Sequence, residues 1–270
     1  MTRKIPIINP DLTLEWLTAN GTGKGVEVAV IDSGIDASHP ALKGKVRQAC
    51  IVSDHGEGKI EYKLVPGEKS HDSFGHGSGV AGIILEIAPD VNLTSVKVLG
   101  EDNAGSGEAL IAGFKWALDQ KFKLINLSLA TTNNKFVNSL FDLCEQAYVQ
   151  ETILVVSKRN FGDLGYPAMF SSVISVDSEP FEDKYKVIHY SGRKIEYGAR
   201  GQDVEVLQLE GSYGRCSGTS FATPHVTGLV ALLLSVFPDV RSCQVKAVLD
   251  EFSQRYSCES IKKAIGKKQR

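Results

Sequence analysis

The stretch Val-Glu-Val-Ala-Val-Ile-Asp at residues 26–32 is short, rich in β-branched residues and apolar on both faces beyond Glu27, and it ends in a carboxylate. A strand apolar on both faces belongs inside a parallel sheet covered by helices on either side. Outward from it, similar runs at 92–99, 124–129, 152–156 and 173–176 are each bounded by Gly, Pro, Asn or Asp. Between and after them lie helical stretches at 77–87, 108–119, 135–149 and 221–235. This alternation predicts an α/β fold, a three-layer, mainly parallel twisted β-sheet flanked by helices. The last helix is apolar all round and is expected to run through the core, stopping before Pro238. Residues 178–212 are polar and glycine-bearing, with alternating pieces such as 204–209, and predict strands and loops.

The chain has 270 residues, 42% hydrophobic and 23% charged, a size that supports one large domain over 1–270 with a core needing no covalent staples. Residues 1–20 form an N-terminal segment, and 260–270, with Lys262, Lys263, Lys267, Lys268 and Arg270, a solvated basic tail. A formal net charge of −2 with both signs dispersed argues against nucleic acid or an anionic membrane as partner. Five scattered cysteines without a C-x-x-C pair favour a reducing compartment over a disulfide framework or zinc knuckle. No apolar run approaches the roughly 20 residues that span a bilayer, and the opening MTRKIPIINPDLTLEW lacks the apolar core of a secretory signal. A cytoplasmic protein is expected. His39, His55, His71, His189 and His225 show no metal-ligand spacing, so no metal or other cofactor is assigned.

Three polar residues stand at places where chemistry collects. Asp32 closes a strand at the edge where open parallel sheets bind ligands. His76 lies in Gly-His-Gly-Ser-Gly, at a predicted helix start with small neighbours. Ser220 lies in Gly-Thr-Ser-Phe-Ala-Thr-Pro-His, at the mouth of the most apolar helix, where unpaired N–H groups favour negative charge. Singly, these read as a turn, a surface histidine and a helix cap. Together they form a Ser/His/Asp set: serine attacks a carbonyl, histidine takes its proton, and aspartate fixes the imidazole tautomer.

The blocks VAVIDSGIDASHPAL, DSFGHGSGVAG, SVKVLG, LINLSL, GYPA and SGTSFATPHVTGLVALL resemble, in the same order, the signature blocks of the subtilisin-like serine peptidases over residues 21–240. The resemblance implies an endopeptidase acting through an acyl-enzyme, with Asp32 orienting, His76 as base and acid, and Ser220 as nucleophile. Asn160 is implied as an oxyanion donor beside the Ser220 backbone N–H. Gly105, Ser106 and Gly107, with Ser128, Leu129 and Ala130, match the two segments that pair with an extended peptide or protein substrate.

Departures from the family pattern carry their own expectations. Ser78 and Gly79 replace the usual Thr-His pair after the histidine. Residues 82–89 pass directly to the next strand, where many members carry a calcium-binding loop, so that site is expected to be absent. Ser-Lys-Arg-Asn at 157–160 stands for Ala-Ala-Gly-Asn, and Ser-Leu-Ala-Thr at 128–131 for Ser-Leu-Gly-Gly. Both changes predict a narrower S1 pocket, with Arg159 facing an acidic substrate residue or solvent. Roughly thirty residues precede Asp32, too few for a folded inhibitory propeptide, which points to intracellular or leader-peptide-processing relatives, with residues 5–10 as a segment able to occlude the cleft. The alternatives are a transamidase or macrocyclase on the same acyl-enzyme, and a peptide-binding module without activity. Cys216 is read as a small buried packing residue.

Overall fold

The computed structural model describes residues 12–161 and 165–253. Its main sheet has the spatial order β3-β2-β4-β1-β5-β6-β7-β9-β8. In chain order these strands are β1 Glu27–Asp32, β2 Val46–Asp54, β3 Ile60–Pro66, β4 Asn92–Lys97, β5 Leu124–Leu127, β6 Ile153–Ser157, β7 Ile174–Glu179, β8 Val187–His189 and β9 Tyr197–Arg200. β1 is central and pairs in parallel with both β4 and β5. Only the edge pairs β2–β3 and β8–β9 run antiparallel. A separate ribbon joins β10, Val204–Leu207, to β11, Tyr213–Cys216.

The two-faced character of residues 26–32 follows from the layers. Val28 and Val30 point into one apolar layer with Ile84 and Leu229, whereas Ala29 and Ile31 point into the other with Phe114 and Leu140, as a side-chain period of two requires. The first layer is supplied by α2, His76–Ile87, and α5, Thr219–Val236; the second by α3, Gly107–Asp119, and α4, Val137–Val149. This is the predicted three-layer α/β architecture. α5 is the one described helix long and apolar enough to cross a bilayer, and 83% of it is buried inside the protein.

The expected strands and helices are present with shifted ends. β4 stops at Lys97 and β5 at Leu127, because the chain beyond each leaves the sheet to build the cleft described below. The helix expected from 135 opens with a tight turn, Asn134–Phe136, before α4. Residues 178–212 hold strands and loops as predicted, with one short turn at Leu209–Gly211. The hairpin β2–β3, the short helix Leu14–Asn20 and a helical run at 242–253 are additional to the sequence expectation. Residues 5–10, Cys258 and the basic tail lie outside the described residues.

Candidate active site

The C-terminal edges of adjacent strands deliver the site. Asp32 ends β1 and is fully buried. Its Oδ1 accepts the Ser33 N–H at 2.7 Å and lies 2.7 Å from His76 Nδ1. That contact fixes the neutral imidazole with its proton on Nδ1 and leaves Nε2 as an acceptor. His76 is the first residue of α2, and the helix descends this closely on β1 because Gly77 has no side chain. A Cβ there would stand 2.1 Å from the Gly34 carbonyl oxygen and 3.0 Å from the Asp32 Cβ.

Burial disfavours protonation of His76, but the Asp32 charge, its hydrogen bond and the Asp72 charge outweigh burial and raise the imidazole above its ordinary value. Asp72 opens the sequence block DSFGHGSGVAG, and in the fold it is a buried hub. Its Oδ1 accepts from the Ser33 hydroxyl at 2.8 Å and from the N–H groups of Phe74 and Gly75 at 3.0 and 2.8 Å. Its Oδ2 accepts from the Ser78 N–H and hydroxyl. The Ser33 oxygen in turn accepts the Gly77 N–H at 3.1 Å, and the Ser78 oxygen accepts the Asp36 N–H at 2.9 Å. Ser78, one of the departures from the family pattern, is therefore fully engaged in holding the start of α2. His71 Nε2 sits 3.2 Å from Lys97 Nζ at the end of β4.

Ser220 is the second residue of α5. Its hydroxyl donates to the Ser128 carbonyl at 3.2 Å, and among the described residues no hydrogen bond joins it to His76. Pro224 lacks the N–H that would reach the Ser220 carbonyl, and the Ser128 hydroxyl lies 3.2 Å from that oxygen instead. Ser128 is held from the core by Asn126, itself bonded to Thr227 on α5.

Asn160 Oδ1 accepts the Thr219 N–H at 2.8 Å. This contact fixes the orientation of the amide and leaves Nδ2 as its free donor among the described residues. The Ser220 N–H, in the first turn of α5, is the second. The two groups can receive an anion generated beside the serine.

His76, Ser220, Asn160 and Arg159 line one cleft of about 340 Å³. One wall is Gly105, Ser106 and Gly107; the other includes Ser128, Leu129 and Ala130, which follow β5. Asp32 lies behind His76 rather than in the lining. Ser106 also caps α3, its hydroxyl accepting the Ala109 N–H at 3.0 Å. His225 is a core residue, bonded to the Phe221 carbonyl at 2.8 Å and held near 4 chiefly by burial. Cys216 is half-buried against Ile83, Val204, Val206 and Phe221 rather than fully buried, and burial holds its thiol above the usual value.

The subtilase family, peptidase S8, matches residues 23–263. The chain belongs to the subtilase family. This subtilase is 33% identical over 227 residues to an intracellular serine protease of Paenibacillus polymyxa, covering 78% of this chain and 67% of that one. It is 32% identical to subtilisin DY of Bacillus licheniformis, covering 90% of this chain and 87% of the relative. Against subtilisin E of Bacillus subtilis strain 168 the identity is also 32%, over 85% of this chain but 60% of the relative. A solved cold-adapted subtilisin-like serine proteinase superposes with a TM-score of 0.70 at 26% identity, covering 86% and 83% of the two chains. The subtilase described here is thus a serine endopeptidase, a hydrolase of the Ser/His/Asp type.

Proposed function

We propose that this subtilase is a selective intracellular endopeptidase, a single catalytic domain that cuts a defined peptide or protein precursor. The reading rests chiefly on the 2.7 Å Asp32–His76 contact at a cleft also lined by Ser220 and Asn160. Substrate binding turns the Ser220 hydroxyl from the Ser128 carbonyl toward His76 Nε2. Ser220 Oγ attacks the scissile carbonyl carbon while His76 takes its proton, and Asp32 stabilises the resulting imidazolium. The oxyanion accepts from Asn160 Nδ2 and the Ser220 N–H. His76 then protonates the leaving amine, and water attacks the acyl-enzyme by the same route. No step calls for a metal or cofactor.

The substrate lies extended between residues 105–107 and 128–130, whose backbones flank the cleft and can pair with it as added strands. Cysteines 50, 144, 216 and 243 are free thiols, which supports a reducing cytoplasm, as does the likeness to an intracellular serine protease. The net charge of −2 supports peptide partners rather than nucleic acid or membrane. Mass-spectrometric mapping of products from a complex peptide mixture, with Ser220→Ala in parallel, tests the reading. Ser220-dependent cuts clustered on one motif are expected; dispersed cuts would contradict selectivity, and products with a new peptide bond would mark a transamidase.

A further inference from the structure

The part of the cleft beyond Ser220 and Asn160 receives the side chain of the residue whose carbonyl is attacked. It is bounded by residues 128–131, which follow β5, and 157–160, at the end of β6, and Gly165 lies against both segments. A Cβ placed on Gly165 would stand 2.9 Å from the Ala130 Cβ and 3.5 Å from the Arg159 Cβ. Both walls therefore come within 3.5 Å of one point. A flat ring needs about 3.5–4.0 Å to carbon on each face, so an aromatic ring does not fit between the Ala130 and Arg159 Cβ atoms. Paired backbone hydrogen bonds between Thr131 and Tyr166, 3.0 and 2.8 Å, tie the Ala130 wall to the chain beside Gly165 and resist its retreat.

The charges of the same walls are unequal. The Lys158 ammonium is 2.7 Å from Asp177 Oδ2, each partly buried, and is compensated there. Arg159 is exposed at the cleft, and among the described residues no carboxylate pairs with it. Among the described residues no Asp or Glu lines the cleft. A guanidinium presents a planar fork of donors matched to a carboxylate, and among the described residues this one has no internal partner.

We propose that Arg159 makes this pocket select an acidic side chain, so that the enzyme cuts after Asp or Glu. The inference rests on Ser220 being the nucleophile. A hydrogen-bonded charge of this kind is worth roughly 10- to 100-fold in rate. Lys158 does not compete for the carboxylate, because Asp177 holds it.

The test uses peptidyl phosphonates that differ only at the residue nearest phosphorus, Glu, Gln, Leu or Phe, with the rate of Ser220 modification read by intact mass. The acid is expected to react roughly 10- to 100-fold faster than its isosteric amide, Phe slowest. Arg159→Ala should abolish the difference between Glu and Gln, and added salt should reduce it. Equal rates for Glu and Gln, or an acid preference that survives Arg159→Ala, would overturn the proposal. A small fluorophosphonate without a side chain separates the two levels: its failure to label Ser220 would remove the nucleophile assignment, and the selectivity with it, whereas labelling with no acid preference would remove the selectivity alone.

Discussion

The Asp72 carboxylate accepts both the backbone N–H and the hydroxyl of Ser78, at 2.8 and 2.7 Å, two residues beyond His76 in the first turn of α2. With its other oxygen on Ser33, Phe74 and Gly75, it fixes the helix start that carries the imidazole, and a negative charge at a helix N-terminus is favoured in its own right.

Asp72→Asn places an amide where both oxygens are needed as acceptors. A buried donor left unsatisfied costs about 1–3 kcal/mol, so thermal unfolding should show a lower midpoint. Loss of the Asp72 charge also removes one of the interactions that raise His76. The acid limb of kcat/KM should therefore move to lower pH, a displacement that general loosening would not produce by itself. An unchanged limb in a folded variant would refute the electrostatic part.

In the unsubstituted enzyme, His76 must be neutral to take the serine proton. Because its folded-state value is raised, activity should fall with an acid limb above the ordinary histidine value of about 6.5. The stability contribution has the opposite sense. It is fully present below the unfolded-state value and is lost as pH rises through the folded one. Paired kcat/KM and denaturant titrations across pH 5–9 check both signs.

Asn160→Ala should lower kcat by about 10²–10³ with little change in KM, the cost measured for such a donor in a subtilisin. A rate within threefold of the parent would show that Nδ2 does not meet the oxyanion.

Gly77→Ala puts a methyl 2.1 Å from the Gly34 carbonyl oxygen, a backbone atom that cannot swing aside. Relief requires α2 to lift from β1, separating His76 from Asp32. The variant should lose roughly 1–3 kcal/mol of stability and label with fluorophosphonate far more slowly. Unimpaired labelling would mean that the close approach is dispensable.

The central parallel strands were legible because Val28, Ala29, Val30 and Ile31 are apolar on both faces, a pattern set by burial in two layers. β3 carries no such pattern: Glu61, Tyr62, Lys63 and Leu64 are all exposed on an edge strand, where packing imposes no period. Asp32, His76 and Ser220 stand out because each sits at an element boundary within a distinctive block. The Asp72 hub does not, since its donors come from residues 33, 74, 75 and 78 and only the fold brings Ser33 to it. Ala130 and Arg159 were singled out in the sequence as departures from the family pattern, but their approach to Gly165 depends on two loops from neighbouring strands.

The nucleophile is tested most directly by treating the parent protein and Ser220→Ala with a fluorophosphonate and locating the adduct by peptide mass spectrometry. A single adduct on Ser220, absent from a folded Ser220→Ala variant, is the predicted result. An adduct on another residue, undiminished labelling of the variant, or no labelling of the parent would contradict it.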